Sequence, residues 1–153
     1  MALTCLRVLA IASVALYLVP TGAHLFELVG KMAMSPSEYM SAQQIYRGWS
    51  LFGFVMLLAL LSIAIHAVAR RHLRGVFILS LVAEACLFAT AVVFWRFTYP
   101  MNVASNNWTV MPDQFEAARR QWEYSHAASA VLTFLALLAI AASVAVDVTR
   151  VRR

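Results

Sequence analysis

The stretch WSLFGFVMLLALLSIAIHAVARRHLRGVFILSLVAEACLFATAVVFWRF, residues 49–97, decides the fold. Two apolar runs, 49–69 and 75–97, flank the basic hinge Arg70-Arg71-His72-Leu73-Arg74. Each run is long enough to cross a hydrocarbon core of about 30 Å at about 1.5 Å per residue. The hinge between them is so short that the two spans must form a hairpin. Working outward, an apolar run over 6–28, interrupted only by Tyr17, Pro20 and His24, supplies a span before the hairpin, and 122–146 supplies one after it. The first run reads as a retained span, because its apolar pattern continues past the small residues Thr21-Gly22-Ala23, where a leader would be cut. The expected fold is all-α, a four-span transmembrane helical bundle with two structured outer loops, forming one domain over 1–153.

Composition supports this reading. Of 153 residues, 63% are hydrophobic and 12% charged, which excludes an ordinary soluble domain. The net charge of +5 comes from basic residues placed singly or at the ends of apolar runs, so it sets membrane topology and excludes a nucleic-acid partner, which needs a continuous basic face. Cys5 and Cys86 stand alone in apolar surroundings and form no close-spaced metal or redox pair.

Four spans put both termini on one side. Arg7, the three hinge arginines and the tail Arg150, Arg152 and Arg153 then share one face, while Lys31, Arg47, Arg96, Arg119 and Arg120 share the other. Short basic loops stay in the cytoplasm, so the expected location is a bacterial inner membrane with both termini cytoplasmic. Trp49, Trp95, Trp108 and Trp122 all fall at the outer side. In the outer loop 30–48, Ser35-Pro36-Ser37-Glu38 carries a helix-capping pattern, and Tyr39, Met40, Gln43, Gln44 and Tyr46 would form an amphipathic lid on the bundle mouth. In the loop 98–121, Tyr99-Pro100 is expected to end the third span, and 115–120 is expected to be helical.

Ionisable side chains within spans are costly and mark candidate sites: His24, Glu27, His66, Glu84, Arg96, Glu123 and His126. His24 and Glu27 share one face near the outer end of the first span, and Glu123 and His126 do the same at the start of the fourth. Arg47 and Trp49, with Trp95 and Arg96, stand at the same height. All four spans thus contribute to one outer pocket. Glu84 lies about 18 Å below Arg96, and His66 reads as interfacial at the inner end; neither is given a site role.

Three readings of the outer residues stay open. In the first, His24, Glu27, Glu123 and His126 hold iron, copper or zinc, since Glu-x-x-His is a ligand spacing of metal-binding four-helix bundles. In the second, Glu27 and Glu123 neutralise Arg47 and Arg96 across helices and only fix register, as in a non-catalytic subunit or assembly factor of a larger membrane complex or a homo-oligomer. In the third, Trp49, Trp95, Trp122 and Tyr99 stack on a hydrophobic aromatic or quinone-like small molecule. His126 or His24 then accepts a proton, Glu123 and Glu27 orient the imidazoles, and Arg47 or Arg96 stabilises the oxyanion.

The stretch His24-Leu25-Phe26-Glu27-Leu28, the segment YMSAQQIYRGW at 39–49, the run Thr98-Tyr99-Pro100-Met101-Asn102 and RQWEYSH at 120–126 together resemble the small four-helix membrane proteins related to anthrone oxygenases. The resemblance covers nearly the whole chain. It implies a four-span bundle, a Pro-x-Asn motif at Pro100 and Asn102, and a tryptophan–glutamate–histidine motif at Trp122, Glu123 and His126. It also implies oxidoreductase or oxygenase chemistry with molecular oxygen and no flavin or haem, in which His126 and its neighbours deprotonate the substrate. Ala127 and Ala128 stand where that family usually carries an arginine, so no arginine role is carried over there.

Overall fold

A computed structural model describes residues 1–151, with side chains up to residue 149. The tail arginines Arg152 and Arg153, and the side chain of Arg150, lie outside the described residues. Every regular element among the described residues is helical: α1 (Ala2–Ala33), α2 (Pro36–Gln43), α3 (Phe52–Ala69), α4 (Arg74–Val93), α5 (Tyr99–Ala104) and α6 (Phe115–Val151). A π-turn, Phe94–Thr98, joins α4 to α5, so the third span runs unbroken over Arg74–Ala104. Four helices are long and apolar enough to cross a membrane: Ala2–Ala33, Trp49–Ala69, Arg74–Ala104 and Phe115–Thr149. This is the build of a multi-pass membrane protein.

Each span packs on its sequence neighbours, and α6 closes the ring against α1. The centre is built from Ala10, Val14, Ala59, Ile63, Ala83, Leu87, Ala136 and Ile140, all with no exposed surface. So many alanines let the helices approach closely, which is how membrane helices gain packing energy when burial from water is not available to them. Large apolar side chains such as Leu16, Phe54, Leu61, Phe88 and Leu138 point outward instead, as suits a surface that meets lipid. The inward face of α4 runs Val76, Ser80, Ala83, Leu87, Thr90, alternating steps of four and three. That is the spacing of a coiled-coil seam.

Two expectations for the ends of spans are corrected. Tyr99-Pro100 does not end the third span. Proline has no N–H and its ring clashes with the carbonyl four residues back, but here the wide turn just before it absorbs the misfit, with the Tyr99 N–H donating five residues back to Phe94. The first and fourth helices also outrun the expected 6–28 and 122–146. α1 runs on to Ala33; Met34 turns extended, and Pro36 keeps Ser35 extended as well, so the helix cannot resume before α2.

The lid segment folds as its sequence predicts. Pro36 occupies the first turn of α2, and the Glu38 carboxylate accepts the Ser35 backbone N–H (2.8 Å) and hydroxyl (2.6 Å). These two donors hold the Glu38 carboxyl below the usual carboxylate range. Opposite it, Asn106, Asn107 and Trp108 all take positive φ, a tight left-handed turn that is costly for residues with a Cβ. Trp108 holds the turn in place. It is buried among Tyr39, Phe115, Ala118 and Trp122, the Ser105 hydroxyl accepts its backbone N–H (3.0 Å), and the Gln44 amide donates to its carbonyl (2.6 Å).

Candidate functional site: a buried polar cluster beneath the lid

The site lies at the end of the bundle that carries α2, between the last turns of α1 and the first of α6. Lys31, 3% exposed, is its centre. The Lys31 ammonium stands 2.8 Å from Glu123 Oε1 and 3.9 Å from Glu27 Oε2. It also lies 4.6 Å from the centre of the Tyr46 ring and 4.7 Å from that of Trp122, within cation–π range of both. Glu123 is fully buried. Its Oε1 accepts the Tyr39 hydroxyl at 2.8 Å and the Gln43 amide at 3.4 Å, so the lid contributes two of its donors. Tyr46, in the short turn after α2, donates its hydroxyl to Glu27. Burial pushes both tyrosine phenols well above their ordinary range, with the acceptor carboxylates adding to the effect, so each remains a donor.

One turn toward the bundle centre, His24 and His126 meet with ring centroids 4.2 Å apart. Trp122 lies against both, 4.9 Å from His24 and 4.1 Å from His126, while Tyr46 and Trp49 close over His24 at 4.5 and 5.5 Å. The Trp122 indole N–H donates to Asn102 Oδ1 at 2.7 Å, which fixes the plane of the ring. The buried polar atoms without a hydrogen-bond partner here include His24 Nδ1, Gln43 Oε1, Glu123 Oε2, Trp108 Nε1 and Arg119 Nε. Buried polar atoms are almost always paired, so this concentration marks unspent binding capacity.

Of the residues expected at the site, the fold assembles His24, Glu27, Trp49, Asn102, Trp122, Glu123 and His126. The rest are corrected. Arg47 is exposed and bonded to its neighbour Gln44 (3.0 Å). Trp95, Arg96 and Tyr99 face away from the bundle, with Trp95 63% and Tyr99 43% exposed. The seam of α4 predicts this, because the next inward positions after Thr90 are Phe94 and then, across the π-turn, Thr98, whose hydroxyl meets that of Ser125 at 2.7 Å. Neither arginine pairs with Glu27 or Glu123: Lys31 does. Glu27 and Glu123 accordingly bond to Lys31 and the lid rather than orienting the imidazoles. The expected four-ligand metal set does not converge either. Among the described residues no three His, Cys, Asp or Glu side chains are grouped to hold one ion, since Lys31 stands between the two carboxylates and the histidines pair with each other.

Lys31, Tyr39, Gln43 and Tyr46 are therefore site residues as well, contributed by the end of α1, by α2 and by the turn after it. The signal for Lys31 is spacing: Ala10, Tyr17, His24 and Lys31 recur every seven residues along one inward stripe of α1, buried at Ala10, His24 and Lys31 and half-buried at Tyr17.

A second polar cluster closes the opposite end, where the termini and hinge lie. Asp147, with no exposed surface, accepts Arg7 Nε (2.9 Å) and Nη2 (2.6 Å) on one oxygen and Arg70 Nε (2.7 Å) on the other. His66, in the last turn of α3, is fully buried against the neighbouring helices; its Nε2 lies 3.5 Å from Asp147, and its Nδ1 contacts Ser80, which bonds on to Ser143. Asp147 falls just past the expected end of the fourth span, which hid its role.

Fold and site together define a class: a four-helix membrane bundle with a lid-covered, histidine-containing polar site near one face. No family model matches the chain, and neither does any curated protein or solved structure.

Proposed function

We propose that the protein binds a flat, hydrophobic aromatic or quinone-like compound at the lid end of the bundle and acts on it as an oxidoreductase or oxygenase. The supporting observation is the pairing of His24 with His126 inside a wall of Trp49, Trp122 and Tyr46, directly above an ammonium group held by Glu123. Aromatic walls suit a flat ring, and a neutral imidazole offers a lone pair to take a proton from it. Lys31 takes the part first expected of an arginine: a fixed positive charge where an oxyanion would develop. In the oxygenase form, matching the anthrone oxygenase resemblance, a ring methylene loses a proton to His126 and the carbanion reacts with dioxygen. One methylene and one dioxygen give one ring carbonyl and one water. The carbonyl keeps one oxygen atom, and both methylene hydrogens leave with the other when the O–O bond breaks. On this reading the termini are cytoplasmic, in a bacterial inner membrane, and the lid faces outward, as the basic hinge favours.

The rings around His24 fill their own space, so a ligand enters only when the segment from α2 to Leu51 lifts. Gly48, with φ of 85°, is the left-handed joint in that segment. The same close packing favours a second reading, in which the cluster only clamps helices within a larger complex. Purification in mild detergent, followed by absorption spectroscopy, metal analysis and organic extraction of the same sample, separates the two. A bound aromatic compound that is lost in His126→Ala, with the helical content unchanged, supports the ligand site. A ligand-free protein that migrates in a stable high-mass assembly supports the clamp.

A further inference from the structure

Trp95 and Arg96, turned away from the site, line a feature of their own. Together with Phe88, Ala91 and Val92 they line a shallow, largely open groove on the outward face of the third span. The steps from Phe88 through Ala91 and Val92 to Trp95 keep these residues on one helical face, and the small Ala91 between two aromatic rings makes the depression. Arg96 is its only charged residue. Among the described residues Arg96 has no ion-pair partner; its guanidinium rests 5.3 Å from the centre of the Phe97 ring. Measured from Arg74 at the other end of the helix, Arg96 stands about 33 Å along the axis, at the far boundary of a hydrocarbon core about 30 Å thick.

From this geometry we infer that the groove is a binding site for one anionic phospholipid, its phosphate on Arg96 and an acyl chain along Trp95, Val92, Ala91 and Phe88. A guanidinium matches phosphate oxygens with two parallel N–H donors, and tryptophan is the side chain that sits best at headgroup depth. A free phosphate has no use for the four apolar side chains below the charge. A zwitterionic lipid carries its own ammonium, which competes with Arg96 for the phosphate. Glu84, about 18 Å deeper on the same helix, lies below the groove and leaves the charge of Arg96 uncompensated at the headgroup level.

The test is native mass spectrometry of the full-length protein released from micelles holding equal phosphatidylglycerol and phosphatidylcholine. The expected result is one retained phosphatidylglycerol per chain. Its preference over phosphatidylcholine should fall about fivefold in Arg96→Gln, the equivalent of one basic residue's attraction to an anionic headgroup. Arg47→Gln, which removes an exposed cation at the same end, should leave the preference unchanged. Ala91→Trp, which fills the groove but keeps the charge, should lower the amount of phosphatidylglycerol retained per chain. Equal loss in Arg47→Gln, an unchanged preference in Arg96→Gln, or a second copy of the chain occupying the groove overturns the assignment.

Discussion

Lys31 and Glu123 form an oppositely charged pair beneath the lid in which neither partner is accessible. Removing one partner strands the other, whereas removing both leaves two neutral side chains of similar size. Lys31→Met and Glu123→Gln should each destabilise the protein by about 3 kcal/mol, and the double variant should fall short of their sum by at least about 1 kcal/mol. Unfolding in detergent, followed by tryptophan emission, measures all three; strict additivity would show that the pair carries no coupling. The identity of this partnership was half legible in the sequence. Glu123 stands out as an acid in an apolar run, but Lys31 looks like an ordinary flanking cation until its place on the Ala10, Tyr17, His24 stripe is counted. Charge alone suggested arginines for the role. Side-chain direction, set by the helical seam, assigns it to lysine.

At the scale of elements, the lid is held at one end by its cap and at the other by Tyr39 and Gln43 on Glu123. The Glu38 carboxyl titrates below its ordinary value because the Ser35 hydroxyl and N–H donate to it. A depressed value means that its contribution to α2 is complete above the ordinary carboxylate range and is lost as pH falls through the folded value. Amide exchange in α2 should therefore quicken on acidification relative to the expected intrinsic trend, and Glu38→Gln should show the quickened rate already at neutral pH. Equal protection of wild type and variant at neutral pH would remove the cap from the account. The lid was readable because capping is local chemistry, written in Ser35-Pro36-Ser37-Glu38. The π-turn was not. Proline at position 100 signals a break on propensity grounds, and only the need to keep Thr98 against Ser125 shows that the helix continues with one residue added to its turn.

Across the whole molecule, the ion pairs among the described residues lie at the two ends of a bundle whose middle is packed with alanine, valine, leucine and isoleucine around a few buried hydroxyls such as Ser13, Ser62 and Thr133. At one end Lys31 joins α1 to α6 through Glu123; at the other, Asp147 joins α6 to α1 and α3 through Arg7 and Arg70. Both clusters therefore tie α6 to α1, and the ring closes at both ends by charge and in the middle by close packing. Asp147→Asn leaves two largely buried guanidinium groups without their counter-charge and should cost about 3 kcal/mol. Glu123 and Asp147 are separated by about 36 Å along α6, share no partner, and have an apolar layer between them. Asp147→Asn and Glu123→Gln should then combine additively to within about 0.5 kcal/mol. Denaturant titration of the two single variants and the double variant in one detergent tests this. A shortfall well beyond that margin would mean that breaking one clamp already frees the helix ends at the other. The middle packing would then be too weak to hold the ring alone, and the two clusters would act as one device spanning the membrane.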